Sequence, residues 1–325
     1  MFRPLVVLGT PDRTIPIWEL GPLEVMVNAV TWRWGRPPVP RLWVDSGGYQ
    51  IMVRGKRVGF EELLRRYRAL DGDVYMSLDE PPRVPGKASP ELVMGNVQRF
   101  ERMYTLLDDK IVVPVIHCYP LDLFYKALEI YESYGVKIVA FGGAVPPTMG
   151  RCGPGSRLVP VAMLALLRKV FRGWIHALGI GGTCSTLAIM SALKVDSFDS
   201  SSWRVKAAYG KIIVPGLGER YVGDGRARFG RKDLSEEEYE ELRKFLERTG
   251  FPMVDKLREL LRTFQGRALV NAWVVTHVDP AISPRNGLRW LYGFACRLDE
   301  MGIDEVEKLV EKLLSGVNVS TKTLR

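Results

Sequence analysis

From about residue 40 to about residue 200, short runs rich in β-branched and aromatic residues alternate with longer stretches whose apolar positions recur at helical spacing. The short runs predict strands at Leu42 to Asp45, Val74 to Asp79, Ile111 to His117, Lys137 to Gly142, Trp174 to Gly179 and Val195 to Asp199. The stretches between them predict helices at Phe60 to Leu70, Pro90 to Leu107, Leu121 to Tyr134, Val159 to Phe171 and Thr183 to Leu193. Boundary residues agree: Ser89-Pro90-Glu91 places a cap before a proline at the first helical position, and Ser235 opens an S-x-x-E box reaching Glu238. Strand and helix in alternation imply a parallel sheet, open or closed into a barrel. After Leu234 the pattern is mainly helical, clearest at Glu236 to Arg248, Met253 to Phe264 and Asp304 to Leu314.

Polar residues and glycines recur where the predicted strands end: Asp45, Asp79, His117, Gly143, Gly179 and Asp199. A lone aspartate at such a place is ordinarily a turn former or helix cap. In a (β/α)8 barrel of the TIM type, however, the C-terminal strand ends converge on one face, so these six positions would meet around one pocket.

Composition narrows the class. With 325 residues and 46% hydrophobic content, the chain can build one large core, and residues 1–325 read as a single barrel domain. The longest apolar stretches, such as Ile111 to Ile116, fall far short of the roughly 20 residues that span a bilayer, and the N-terminus shows no signal-peptide pattern. No membrane partner and a cytoplasmic location are therefore expected. Cys118, Cys152, Cys184 and Cys296 are scattered without a CxxC pair, which favours reduced thiols over a disulfide framework or zinc ribbon.

A net charge of +9 and a pI near 9.4 point toward a polyanionic partner. The excess is densest in the segment from Trp203 to Lys232. Arg204, Lys206, Lys211, Arg220, Arg226, Arg228, Arg231 and Lys232 stand there against Glu219 and Asp224, with Tyr209, Tyr221 and Phe229 interleaved. Such a mixture suits phosphate neutralisation and base stacking, with Arg204, Lys206, Arg226 and Arg228 as candidate nucleic-acid contacts. A glycine-rich solvated loop is the alternative.

Five segments carry a family resemblance, in order. Asp45-Ser46-Gly47-Gly48-Tyr49-Gln50 resembles the DSGG(Y/F)Q signature of the tRNA-guanine transglycosylases, and Met76-Ser77-Leu78-Asp79-Glu80 resembles their base-recognition segment. Phe141-Gly142-Gly143-Ala144 is similar to their glycine turn, and Leu178-Gly179-Ile180-Gly181 to their G-x-G strand. Asp196-Ser197-Phe198-Asp199-Ser200 resembles their D-x-F-D-S nucleophile segment. The resemblance implies a TIM-type barrel that exchanges guanine for a 7-deazaguanine on a nucleic acid, without a metal or redox cofactor in the reaction. It implies Asp199 as nucleophile and Asp45 as acid/base. Asp79, Ser46, Gly143, Ala144 and Gly179 are implied on the base edge, with Tyr49 and Leu178 against the base faces.

The sequence departs from the family at three places. Ile116-His117-Cys118-Tyr119 stands where a V-Q-G-G segment is usual, so His117 is expected to replace the glutamine amide at the base O6. Beyond Asp199 the chain holds one cysteine, Cys296, and one histidine, His277, too few for the family's four-ligand structural zinc, which is expected to be absent. There is also no room for the RNA-binding extensions of the long archaeal enzymes. The two losses tilt the expected polymer slightly toward DNA, with tRNA as the alternative and a homodimer left open. A non-catalytic RNA-binding paralogue and an unrelated barrel enzyme binding phosphate at Gly179-Ile180-Gly181-Gly182 stay open as competing readings.

Overall fold

The computed structural model describes residues 2–48, 58–142, 157–181, 184–222, 232–281 and 288–316. Its centre is a parallel sheet of nine segments, in the order β5-β4-β3-β2-β1-β9-β8-β7-β6. These are β1 (Leu5–Thr10), β2 (Val25–Asn28), β3 (Leu42–Asp45), β4 (Val74–Met76), β5 (Ile111–Val113), β6 (Val115–Ile116), β7 (Ile138–Phe141), β8 (Trp174–Ala177) and β9 (Ser197–Ser200). The two edge segments, β5 and β6, are separated only by Pro114, which has no N–H to give a ladder. The carbonyl of Val113 accepts from Ser77 N–H at 2.8 Å on one side, and that of Pro114 accepts from Ala140 N–H at 2.9 Å on the other. They therefore make one interrupted strand, and the sheet closes as an eight-stranded TIM-type barrel, as expected from the βα alternation.

The pattern had no strand before Leu42, yet β1 and β2 pair in parallel, Leu8 opposite Val25, and β1 closes the ring against β9, Leu5 opposite Ser197. Their connection carries only a short 3-10 turn, Ile17–Leu20, in place of a helix. Without that alternation, two buried strands in an apolar N-terminal stretch give no periodic signal.

Residue alternation along each strand decides what fills the barrel. Val7, Met26, Trp43, Val74, Met76, Val113, Val115 and Ala140 form a separate buried cluster, the packed lumen. Two residues further along the same strands, on the same inward side, come Asn28, Asp45, His117 and Gly142. The sequence pattern thus stacks a polar layer directly on an apolar plug.

Helices cover the outside: α1 (Phe60–Leu70), α2 (Pro90–Leu106), α3 (Leu121–Ser133), α4 (Leu158–Val170) and α5 (Cys184–Ala192). Ser89 caps α2 by accepting from Leu92 N–H at 3.3 Å. α4 is buried nearly all round, because C-terminal helices lie over it.

The C-terminal part begins with α6 (Ser202–Ala208) and an antiparallel hairpin, β10 (Lys211–Val214) and β11 (Gly218–Tyr221), so much of the segment read as basic or loop-like is regular structure. It continues with α7 (Glu236–Arg248), α8 (Leu257–Arg262), α9 (Phe264–His277), α10 (Arg289–Glu300) and α11 (Ile303–Leu314). The Ser235–Glu238 capping box starts α7 as expected. The predicted helix from Met253 to Phe264 is instead a 3-10 turn, Val254–Lys256, followed by α8. The chain breaks at Thr263, whose hydroxyl caps α9 by accepting from Gly266 N–H at 3.0 Å. Buried Asn271 pins this layer together: its amide donates to the carbonyls of Trp203 and Lys211 and accepts from Ile213 N–H at 2.7 Å. No described helix is long and apolar enough to cross a membrane.

Candidate active site

Asp45 is the last residue of β3, in register with Asn28 at the end of β2. The Asn28 amide donates to Asp45 Oδ2 at 2.7 Å, and Gly47 N–H also bonds this carboxyl. Burial, and then the neighbouring carboxylates Asp79 and Asp199, push Asp45 up to about 7. Strand-end aspartates that lie far apart in the sequence thus share one end of the barrel and feel one another electrostatically.

Asp79 follows β4 and is held from two sides. Ser46 Oγ donates to its Oδ1 at 3.0 Å, and His117 Nε2 bonds its Oδ2 at 2.9 Å. Both partners are buried. The two glycines after Ser46 are steric requirements of this arrangement. A Cβ on Gly48 would lie 2.7 Å from Asp79 Oδ1 and 2.8 Å from its backbone oxygen. Gly47 has φ +81°, and a Cβ there would lie 2.7 Å from Val30 Cγ2.

His117 spends Nε2 on Asp79, and among the described residues its Nδ1 has no hydrogen-bond partner. Its ring lies so close to Gly142 that a Cβ there would sit 2.5 Å from His117 Cε1. The imidazole expected at the base O6 is therefore first of all a support for Asp79.

Among the described residues, Asp199 has fewer side-chain partners than Asp79. Gly179, at φ +63°, donates its N–H to Oδ1 at 2.6 Å. His176 Nε2 stands 3.5 Å from the same oxygen, near enough for electrostatic attraction but outside good hydrogen-bond geometry. The His176 ring stacks on Trp43 in the lumen, with centroids 4.7 Å apart. Its Nδ1 lies 2.8 Å from Ser197 Oγ, which also accepts from Trp174 Nε1 at 2.7 Å. The Ser197 hydroxyl keeps a proton of its own that it can give to Nδ1, and in that tautomer the Nε2 proton faces Asp199.

The structure thus brings Asp45, Ser46, Asp79, His117, Gly179 and Asp199 to one end of the barrel, and Leu178 packs against the lumen cluster next to Gly179. Tyr49, Gly143, Ala144, Arg226 and Arg228 lie outside the described residues. Arg204 and Lys206 are engaged elsewhere: Arg204 makes two bonds to Asp12, at 2.9 and 2.8 Å, and Lys206 pairs with Glu219. Two site residues escaped the motif reading, Asn28 and His176. Asn28 lies on a strand with no sequence signal. His176 is two residues before Leu178 in a predicted strand, and that spacing was the available clue.

No family profile matches the chain. It is 26% identical over 283 residues to a protein of Sulfolobus islandicus rod-shaped virus 1 named uncharacterized protein 306, covering 86% of this chain and 82% of that one. It is also 26% identical over 175 residues to the tRNA-guanine(15) transglycosylase of Nanoarchaeum equitans, and over 183 residues to that of Korarchaeum cryptofilum. Each of these alignments covers 53% of this chain, and the chain spans 42% and 30% of the two enzymes' lengths. The relationship to tRNA-guanine transglycosylases is thus distant and confined to about half of the sequence.

Proposed function

We propose that this chain is a nucleic-acid guanine transglycosylase, exchanging guanine for a 7-deazaguanine through a covalent intermediate on Asp199. The observation that carries the reading is the meeting of three carboxylates at one barrel end, one of them poised near neutrality. Cleaving an N-glycosidic bond builds positive charge on the sugar, which a carboxylate beneath C1′ stabilises and then captures. In this reading an Asp199 oxygen forms a bond to C1′ as the C1′–N9 bond breaks, and its electron pair leaves with guanine. Asp45, with a pKa near 7, protonates the departing base and later takes the N9 proton of the incoming one. The incoming nitrogen then displaces Asp199, so two inversions restore the sugar stereochemistry and no redox step is needed.

Asp79 suits the role of base recognition. Its two oxygens present about four lone-pair directions, of which Ser46 and His117 occupy two. The remaining two can accept from the guanine N1–H and exocyclic amine. A stacked base cannot reach this depth, so the target is unpaired or flipped out.

DNA is slightly favoured as the polymer by the departure from the family's zinc-binding pattern. The donor set beyond Asp199 does not fit a four-ligand zinc: His277 stacks on Trp273 at 3.8 Å within α9, and Cys296 bonds Tyr292 within α10. The proposed reaction uses no such metal. Exchange on tRNA is the second reading, favoured by the names of the two matched enzymes. Incubation with labelled guanine and either bulk DNA or bulk tRNA tests both. Label retained in one polymer supports the chemistry and names the substrate; label in neither refutes the proposal.

A further inference from the structure

Among the described residues, two groups of basic residues differ in a way the sequence alone does not separate. Those of α6, the hairpin and the start of the next segment are matched: Arg204 with Asp12, Lys206 and Lys211 with Glu219, Arg220 and Lys232 with Glu238. A cation already holding a carboxylate has less to gain from a phosphate, because the existing pair must first be broken.

The loops that leave the C-terminal ends of β1, β2 and β4 carry the other group. Arg13, Arg33, Arg83 and Lys87 are exposed, and among the described residues none pairs with a carboxylate. Exposed Glu80, in the β4 loop, pairs with no basic side chain among the described residues. In the β2 loop Trp34, 42% exposed, follows Arg33 and stands edge-on to Trp32 at 5.1 Å, next to the Gly35 carbonyl that Arg13 binds.

The Trp34 loop is built rather than loose. Trp32 Nε1 donates to the Gly35 carbonyl at 3.1 Å, and the Arg13 guanidinium donates to the carbonyls of Gly35 and Arg36. Arg66 of α1 donates to the carbonyls of Ala29 and Val30. At its root, Asn28 Oδ1 accepts from Val30 and Thr31 N–H while the same amide donates to Asp45. One side chain therefore joins this loop to the carboxyl proposed as acid/base. By contrast, exposed Tyr209 follows the C-terminal end of α6, in the layer whose cations are already matched.

We infer that the β1, β2 and β4 rim, centred on Trp34 with Arg13, Arg33, Arg83 and Lys87, receives the single-stranded or looped-out nucleic acid that flanks the target guanine. A flanking base stacks on the indole and the phosphates meet the free cations, a combination that holds a strand without reading its sequence. The pre-fixed loop spares the ordering cost that a mobile one would incur on binding. This inference rests on the reading of the pocket as a nucleic-acid site.

The test is binding of a fluorescein-labelled stem-loop with one loop guanine, made as DNA and as RNA, across a salt series. Trp34→Ala should weaken binding about tenfold, with Trp34→Phe recovering most of the loss. The double variant Arg33→Ala/Arg83→Ala should bind more weakly and lower the salt slope by about 0.7 per lost single-strand phosphate contact. Lys211→Ala, on the matched hairpin, should leave affinity unchanged. Wild-type affinity and slope in the rim variants, or a loss confined to Lys211→Ala, would overturn the inference, as would failure of wild type to bind either polymer. Binding is read without base exchange, so the rim assignment can fail while labelled-guanine exchange stands, and exchange can fail while the Trp34 dependence stands.

Discussion

Asp79 and Asp199 lie at the same end of one barrel, yet the chain treats them differently. Asp79 is bonded by two buried side chains, Ser46 and His117, and walled by Gly48, where any Cβ would press on its carboxyl and backbone. Among the described residues, Asp199 receives one backbone N–H, with an imidazole at 3.5 Å that does not close into a hydrogen bond. A carboxylate that reads a flat base must hold its direction, and locking it is useful. One that attacks a carbon must keep an uncommitted lone pair, and further donors would only weaken it. The difference in support matches the difference in proposed role.

The comparison breaks most severely at Asp199. Asp199→Asn should fold normally and lose base exchange by about 10³-fold or more, since a neutral amide neither stabilises nor traps the sugar cation. Steady-state exchange of labelled guanine measures this, and near wild-type turnover would remove Asp199 from the nucleophile role.

Asp45 gives the next effect, in stability. Its pKa is raised from 3.8 to about 7, so between those values the folded chain keeps a proton that the unfolded chain releases. Stability from this residue is therefore highest at about pH 4 and below, falls as pH rises to about 7, and is level above that. Asp45→Asn removes the penalty and should gain stability relative to wild type between pH 5 and pH 8, on the order of a few kcal/mol, while losing exchange. Denaturant melts at the two pH values check it, and an equal difference at both would mean that the carboxyl is not buried and strained as described.

The smallest effect sharpens the Asp79 side. Ser46→Ala deletes one of its two side-chain donors and should weaken guanine binding by about 1 kcal/mol with little change in turnover. Calorimetric titration with guanine reads it, and a fall in turnover at unchanged affinity would place Ser46 with the reacting groups instead.

How much of this was legible in the sequence depended on the kind of signal. The βα alternation exposed six strands and the barrel class, because helices between strands leave a periodic trace. β1 and β2 left none, since a 3-10 turn joins them, and Asn28 was lost with them. The motif carboxylates were named correctly as strand-end residues, but their partners depend on register. That His117 faces Asp79, or that His176 stacks on Trp43 below Asp199, follows only once neighbouring strands are aligned. Charge was the least legible property. Eight basic residues between Trp203 and Lys232 read as one patch, whereas Asp12, far away in sequence, and Glu238, just beyond the segment, neutralise Arg204 and Arg220.

The most direct test of the central claim is to mix the protein with a guanine-containing oligonucleotide, quench it in denaturant and measure the intact mass. The expected product is a species heavier by the oligonucleotide less its guanine, mapping after digestion to the peptide that contains Asp199, and absent from Asp199→Asn. Base exchange proceeding with no such adduct, or an adduct on another residue that survives Asp199→Asn, would contradict it.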